Sequence, residues 1–181
     1  SFIGKLNSAK GYDIFGKTII KVLNKYQDWK AVVIGDEPRE KISFYHKNLK
    51  IYGYMKHKYV LKLLEKISIS VVCSRWQEPF GRTSLEAASR GCAVIISNRG
   101  GLPETSKSAI KLKELSSKEL FYQIEKIILN KKKLVNLQKL NYKNFTFDHK
   151  YISILIDKKR NNFFIKKNIF LKKSKILKIM H

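Results

Sequence analysis

Acidic side chains are scarce in this sequence: 14 Asp or Glu stand against 38 Lys or Arg in 181 residues, a formal net charge of +24. Arginine is scarce as well, since only 6 of the basic residues are Arg and 32 are Lys. A nucleic-acid-binding module calls for arginine forks or basic patches interleaved with aromatics, and no such motif is present. The lysine excess, alongside many Ile and Asn, reads as composition filling solvated faces. Only two cysteines occur, Cys73 and Cys92, each inside an apolar run. They exclude a disulfide framework and read as buried structural thiols of a reducing compartment. His46, His57, His149 and His181 show no mutual spacing that suggests a metal site or a catalytic dyad, so they read as surface or core residues. No Asp-x-Asp occurs, and no apolar stretch approaches the ~18 residues of a transmembrane helix. Without an internal repeat or a Pro/Ser-rich linker, the chain reads as one domain plus a tail.

What is present is core material, 44% hydrophobic with 12% aromatic residues, enough to exclude a disordered chain. Short Val/Ile-rich runs alternate with helical ones. "FIG" (2–4), "KAVVIG" (30–35), "LKIYGYM" (49–55), "SISVVCS" (68–74), "CAVIIS" (92–97) and "AIKLKEL" (109–115) read as strands. Helices are expected over 12–26, 58–67, 81–91, about 117–130 (capped by Ser116 or Ser117) and about 131–140, with 98–104 as a loop. A last helix, capped near Thr146 or Asp148, is expected within 144–164. Continuous apolar strands separated by helices predict an α/β fold, a Rossmann-like doubly wound parallel sheet with helices on both faces.

In such a sheet ligands bind beyond the carboxyl ends of the strands, where four segments converge. These are "GKLNSAKG" (4–11), "GYM" (53–55), "EPFGRTSLE" (78–86) and "NRGGLPE" (98–104). Lys5 and Lys10 supply point charges for a diphosphate. Gly81 leaves a helix start without a side-chain cap, so the amides of Gly81, Arg82 and Thr83 can meet a phosphate or sugar oxygen. Glu78 and Glu86 are acceptors suited to the vicinal hydroxyls of sugars. Together they suit a nucleotide sugar. Thr83 and Ser84 are also ordinary helix-start residues, and Trp76 reads as a packing residue rather than a sugar platform.

"EPFGRTSLEA", preceded by a strand and followed by "GCAVIISNRGGLPE", resembles the signature of family 4 retaining glycosyltransferases. The resemblance runs from Phe2 to about Glu104, and more loosely to about residue 155. It implies the C-terminal, donor-binding half of a GT-B fold, with the acceptor-binding N-terminal domain absent from this chain. The opening at "SFIGKL", without a methionine and inside an apolar run, fits a fragment whose upstream part is missing. The implied roles are Glu78 at the donor sugar as the catalytic-site acid, Glu86 at the ribose, and Lys5 and Lys10 at the diphosphate. Phe80, Gly81, Arg82 and Thr83 line the sugar–diphosphate region, and main-chain groups at Tyr54 and Met55 hold the nucleobase. No metal and no cofactor are expected, only a nucleoside-diphosphate sugar as donor. Position 5 departs from the family's usual arginine, which removes a bidentate fork.

The implied activity is hexosyl transfer to a hydroxyl acceptor with retention, in polysaccharide, lipopolysaccharide or glycolipid synthesis, the fragment alone being inactive on acceptor. The alternatives are a non-catalytic GT-B nucleotide-binding domain and, more weakly, the nucleic-acid-binding module. A glycan or lipid-linked acceptor would bind through the absent domain. Domain limits are expected at 1–164, with a basic tail over 165–181. After Asp157 there are nine Lys or Arg and no acid, which suits an anionic membrane surface. The expected location is cytoplasmic, peripheral on the inner face of the membrane.

Overall fold

The computed structural model describes residues 1–145 and 149–167. Its elements run β1 (Phe2–Ile3), α1 (Tyr12–Lys25), β2 (Ala31–Ile34), β3 (Leu49–Ile51), α2 (His57–Leu64), β4 (Ile69–Val72) and α3 (Arg82–Ser89). They continue β5 (Ala93–Ile96), α4 (Leu102–Thr105), β6 (Ile110–Lys111), α5 (Ser117–Ile128), α6 (Lys131–Lys143) and α7 (His149–Lys167). All six strands pair in parallel, in the order β3-β2-β1-β4-β5-β6. This is the expected doubly wound sheet. Its order reverses between β1 and β4, and that switch point opens a crevice at the carboxyl edge.

Alternation along each strand divides the core into two layers. Phe2, Val33, Val71, Ala93 and Ile95 face one cluster, built with Phe15, Leu23, Leu120 and Ile127 of α1 and α5. Ile34, Val94 and Ile96 face the other, built with Val60, Leu64, Ala87, Ala88 and Leu102 of α2, α3 and α4. All four side chains of β5 are buried, as a strand covered on both faces requires. Fully burying each such Val or Ile contributes about 1.5–3 kcal/mol before entropy is counted.

Several boundaries differ from the sequence reading. β3 is a strand only over three residues, because the chain turns at Gly53, whose carbonyl accepts from the Gly35 amide at 2.8 Å. Part of the expected loop 98–104 forms α4, started by Pro103 in its first turn and closed by Thr105 Oγ1 donating to Leu102 O at 3.0 Å. β6 is reduced to Ile110–Lys111. α5 is capped by Ser116, whose side chain accepts from the Glu119 amide at 3.1 Å. α6 runs on to Lys143.

Residues Ser1–Phe145 form one compact unit, and α7 belongs to a second. The expected caps at Thr146 and Asp148 lie outside the described residues, as does the basic tail beyond Lys167. No helix among the described residues is long and apolar enough to cross a membrane.

At the amino edge of the sheet the Ser1 nitrogen donates to Ile69 O at 2.6 Å beside an apolar cavity of about 350 Å³ lined by Phe15, Val22, Trp29 and Ile128.

Candidate functional site

Two loops rise from the switch point, 4–11 after β1 and 73–81 after β4, and they are tied together. The amides of Arg75 and Trp76 donate to Ala9 O at 2.9 and 3.2 Å, and Ser74 Oγ donates to the same carbonyl at 3.3 Å. The Arg75 guanidinium donates to Ser8 O and grips Asp13 with bonds of 2.6 and 2.8 Å. That bond holds the Asp13 carboxyl below the usual carboxylate range. On its other side the first loop is held by acids of the 36–40 segment. Asn7 Nδ2 donates to Glu37 Oε2 at 3.2 Å, and the Ser8 amide to Glu40 Oε2 at 2.9 Å. Cys73 Sγ donates to Gly11 O at 3.2 Å, and burial pushes this thiol up to about 12. Cys92 is buried too and pushed up to about 11, so neither thiol is a nucleophile.

The tied loops bring Lys10 and Glu78 into direct contact, with Lys10 Nζ donating to Glu78 Oε1. The pair spans a cleft of about 80 Å³ lined by Gly4, Ser74, Gly81, Arg82 and Thr83. A pocket for a small molecule takes roughly 300 Å³ or more. The ion pair thus occupies the narrow cleft at the switch point. Above the cleft α3 starts at Gly81, a left-handed residue (φ 73°) with no side-chain cap. The start of α3 is electropositive by its backbone alone.

Glu78 is held from behind. The Gly101 amide donates to Glu78 O at 2.6 Å, and the Gly100 amide to Gln77 Oε1 at 2.6 Å. A Cβ on Gly100, whose φ is 52°, would stand 2.3 Å from Glu78 O; one on Gly101 would stand 2.6 Å from Pro79 O. The double glycine is thus what lets the 98–102 backbone lie against the Glu78 segment.

Glu86 follows one turn into α3. Its Oε1 forms an ion pair with Arg82 Nε at 2.9 Å and a hydrogen bond with His57 Nε2 at 2.9 Å. His57, read from the sequence as a surface or core histidine, is exposed at the surface, and the structure adds its bond to Glu86. His57 opens α2 two residues after Met55, next to one of the four convergent segments. That adjacency was the available signal. Arg75 was missed as well, because its partners Ser8 and Asp13 lie more than sixty residues away in sequence.

Of the anticipated residues, Lys10, Glu78, Gly81, Arg82 and Thr83 share one cleft. Lys5 is exposed and does not line it. Phe80 is 49% and Tyr54 77% exposed, while Met55 is half-buried against the α2–α3 cluster. Trp76 is no packing residue, being 61% exposed. Its main chain is bonded to Ala9 and Ser74, which fixes the backbone and leaves the indole in solvent. Among the described residues no group of three His, Cys, Asp or Glu could hold a metal ion.

Gly100→Ala adds a methyl where no room exists and strains a left-handed residue, so it should cost about 1–3 kcal/mol. A denaturant titration reads the loss, and amide exchange should quicken at Glu78 and Gly101; an unchanged midpoint would refute the steric argument.

Comparison with known proteins places this geometry. The model of the family described as glycosyl transferases group 1 matches residues 1–144. One of the subunits of human phosphatidylinositol N-acetylglucosaminyltransferase is 30% identical over 139 residues, 72% of this chain and 28% of that protein. The chain spans less than a third of the length of the curated relatives it matches. The C-terminal domain of a glycosyl transferase group 1 family protein (LpcC) from Francisella tularensis superposes with a TM-score of 0.70 at 23% identity, covering 81% of this chain and 86% of that one. Anabaena Alr3699/HepE, solved in complex with UDP, gives 0.74 at 19% identity over 89% of this chain and 48% of that one. These two share the fold, a Rossmann-like half of the GT-B architecture. With 144 residues matched to the family model and the sheet order, paired loops and bare helix start all in place, the chain belongs to the glycosyl transferases group 1.

Proposed function

We propose that this chain is the donor-binding half of a retaining glycosyltransferase that transfers a hexosyl unit from a nucleoside-diphosphate sugar to a hydroxyl. The observation that carries the reading is the Lys10–Glu78 pair at the switch point, beneath the uncapped start of α3. Only a ligand with strong negative charge can draw Lys10 away from a carboxylate, and a diphosphate has that charge. When Lys10 turns to the diphosphate, joined by Lys5 and the amides of Gly81, Arg82 and Thr83, the carboxylate of Glu78 is released toward the donor sugar. Donor binding and exposure of the catalytic-site acid then become one event. Charge growing on the leaving diphosphate meets a lysine and a helix start that need little rearrangement, which is the economical way to stabilise it. Glu86 accepts from the ribose hydroxyls, main-chain groups at Tyr54 and Met55 hold the base, and Phe80 borders the sugar.

The related Anabaena structure with UDP supports a nucleotide donor, and the name of the human relative supports a lipid acceptor. On this reading the acceptor, a glycan or lipid-linked hydroxyl, is bound by a separate N-terminal half, and the present chain alone does not turn it over. The product belongs to cell-surface polysaccharide, lipopolysaccharide or glycolipid synthesis. The enzyme works in the cytoplasm against the inner face of the membrane without a dedicated metal.

Isothermal calorimetry with UDP, GDP and ADP tests the donor site. At least one should bind, and Glu86→Gln should weaken it by roughly 1–3 kcal/mol. Glu78→Gln should leave that affinity unchanged or tighten it, because Lys10 loses its competing partner, while turnover of the two-domain enzyme collapses. If folded protein binds none of the three, the proposal fails.

Membrane attachment is proposed for 165–181, where six lysines stand among apolar residues from Phe163 to Met180. Each lysine near an anionic surface is worth about 1 kcal/mol. Sedimentation with phosphatidylserine vesicles should carry the protein down at low salt and release it at high salt. Truncation at Phe164 should abolish the binding; retention by the truncated protein would remove this part of the reading.

A further inference from the structure

The donor-site reading leaves one side chain unused. His57 is bonded to the carboxylate assigned to the ribose, yet it lies on a different helix. We propose that His57 is a positioning residue for Glu86, one that sets the preference for a ribose over a 2′-deoxyribose diphosphate. The proposal rests on the donor-site reading above.

The argument begins with lone pairs. A carboxylate oxygen accepts two hydrogen bonds, and a carboxylate does not donate, so Nε2 of His57 carries the proton. Arg82 Nε forms an ion pair with Oε1 at 2.9 Å, and the His57 Nε2 hydrogen bond falls on the same oxygen at 2.9 Å. Both protein partners thus engage one oxygen, and the remaining acceptor capacity of the carboxylate is what two neighbouring ribose hydroxyls would use. With Arg82 alone the carboxylate would be held from its own helix at a single point, free to turn about its long axis. The hydrogen bond from α2 removes that freedom.

His57 can do this because both helices are anchored. Val60 and Leu64 of α2 and Ala87 and Ala88 of α3 are buried in the same core cluster, so the His57–Glu86 distance is set by packing. The Glu86 side chain is 17% exposed and the His57 side chain 54%. An exposed histidine bond of this kind adds little to folding. The geometry therefore points to placement of Glu86 rather than to stability. His57 also stands two residues after Met55, and its bond ties the start of α2, beside the segment given to the base, to the carboxylate given to the sugar.

The test measures affinities of the protein for UDP, GDP and ADP, for their 2′-deoxy forms and for inorganic diphosphate, in wild type, His57→Ala and His57→Gln. Wild type should prefer the ribose form. His57→Ala should weaken that form about tenfold, the worth of one charge-assisted hydrogen bond, and narrow the gap to the deoxy form. Inorganic diphosphate, which has no sugar, should bind all three proteins alike. His57→Gln, whose amide can donate from a similar position, should recover most of the preference. Equal loss for ribose, deoxyribose and inorganic diphosphate would mean a general structural defect and overturn the proposal. So would ribose binding by His57→Ala at wild-type strength, which leaves the donor-site reading standing. Failure of wild type to bind any nucleotide overturns both.

Discussion

A cation and a carboxylate meet where the strand order reverses, and the rest of the site is arranged around that contact. Lys10 and Glu78 come from loops 68 residues apart in sequence, so the contact exists only because β1 and β4 lie side by side. Both loops are fastened below the pair by backbone bonds to Ala9 and by the Arg75–Asp13 fork. The Arg75–Asp13 bond constrains position more than it stabilises, since partly exposed ion pairs contribute little. Its effect is to carry lysine and acid to the same place each time the chain folds.

The second constraint is steric. Glycine at 100 and 101 allows a backbone to lie flat against Glu78, and the carbonyl of Glu78 is thereby bonded from the far side. The acid is thus fixed at its main chain by one loop and engaged at its side chain by another. Glu86 shows the same logic in a different form, with an ion-pair partner on its own helix and a hydrogen-bond partner on α2. In both cases the acid's place is decided by elements that are rigid for reasons of core packing, as a preorganised site requires.

The fold was legible because its strands are unusually plain. "AVII" buries all four side chains, and "ISVV" is closely similar, so a sheet covered on both faces was the simplest reading. The segment "EPFGRTSLE" was legible too, since a glycine before a helix and an acid one turn on are local patterns. Contacts between elements were not. Nothing in the neighbourhood of His57 announces Glu86, and nothing near Lys10 distinguishes it from 31 other lysines; the topology selects them. Trp76 was misread because aromatic residues usually pack, whereas its backbone here is committed to holding a loop. β3 ended early for a related reason, a turn at Gly53 bonded to Gly35 that no periodicity reveals.

The two thiols have a practical consequence. Cys73 and Cys92 are the chain's only cysteines, both are buried, and burial raises both well above the range in which thiolates form at neutral pH. These two thiols therefore react slowly with maleimides and other alkylating dyes. A cysteine introduced on an exposed loop of this chain becomes its fast-reacting handle, with no need to remove the natural pair and disturb the core. Motion of the loop that carries Glu78 can then be followed by attaching a fluorophore or spin label in place of Trp76, a side chain already in solvent.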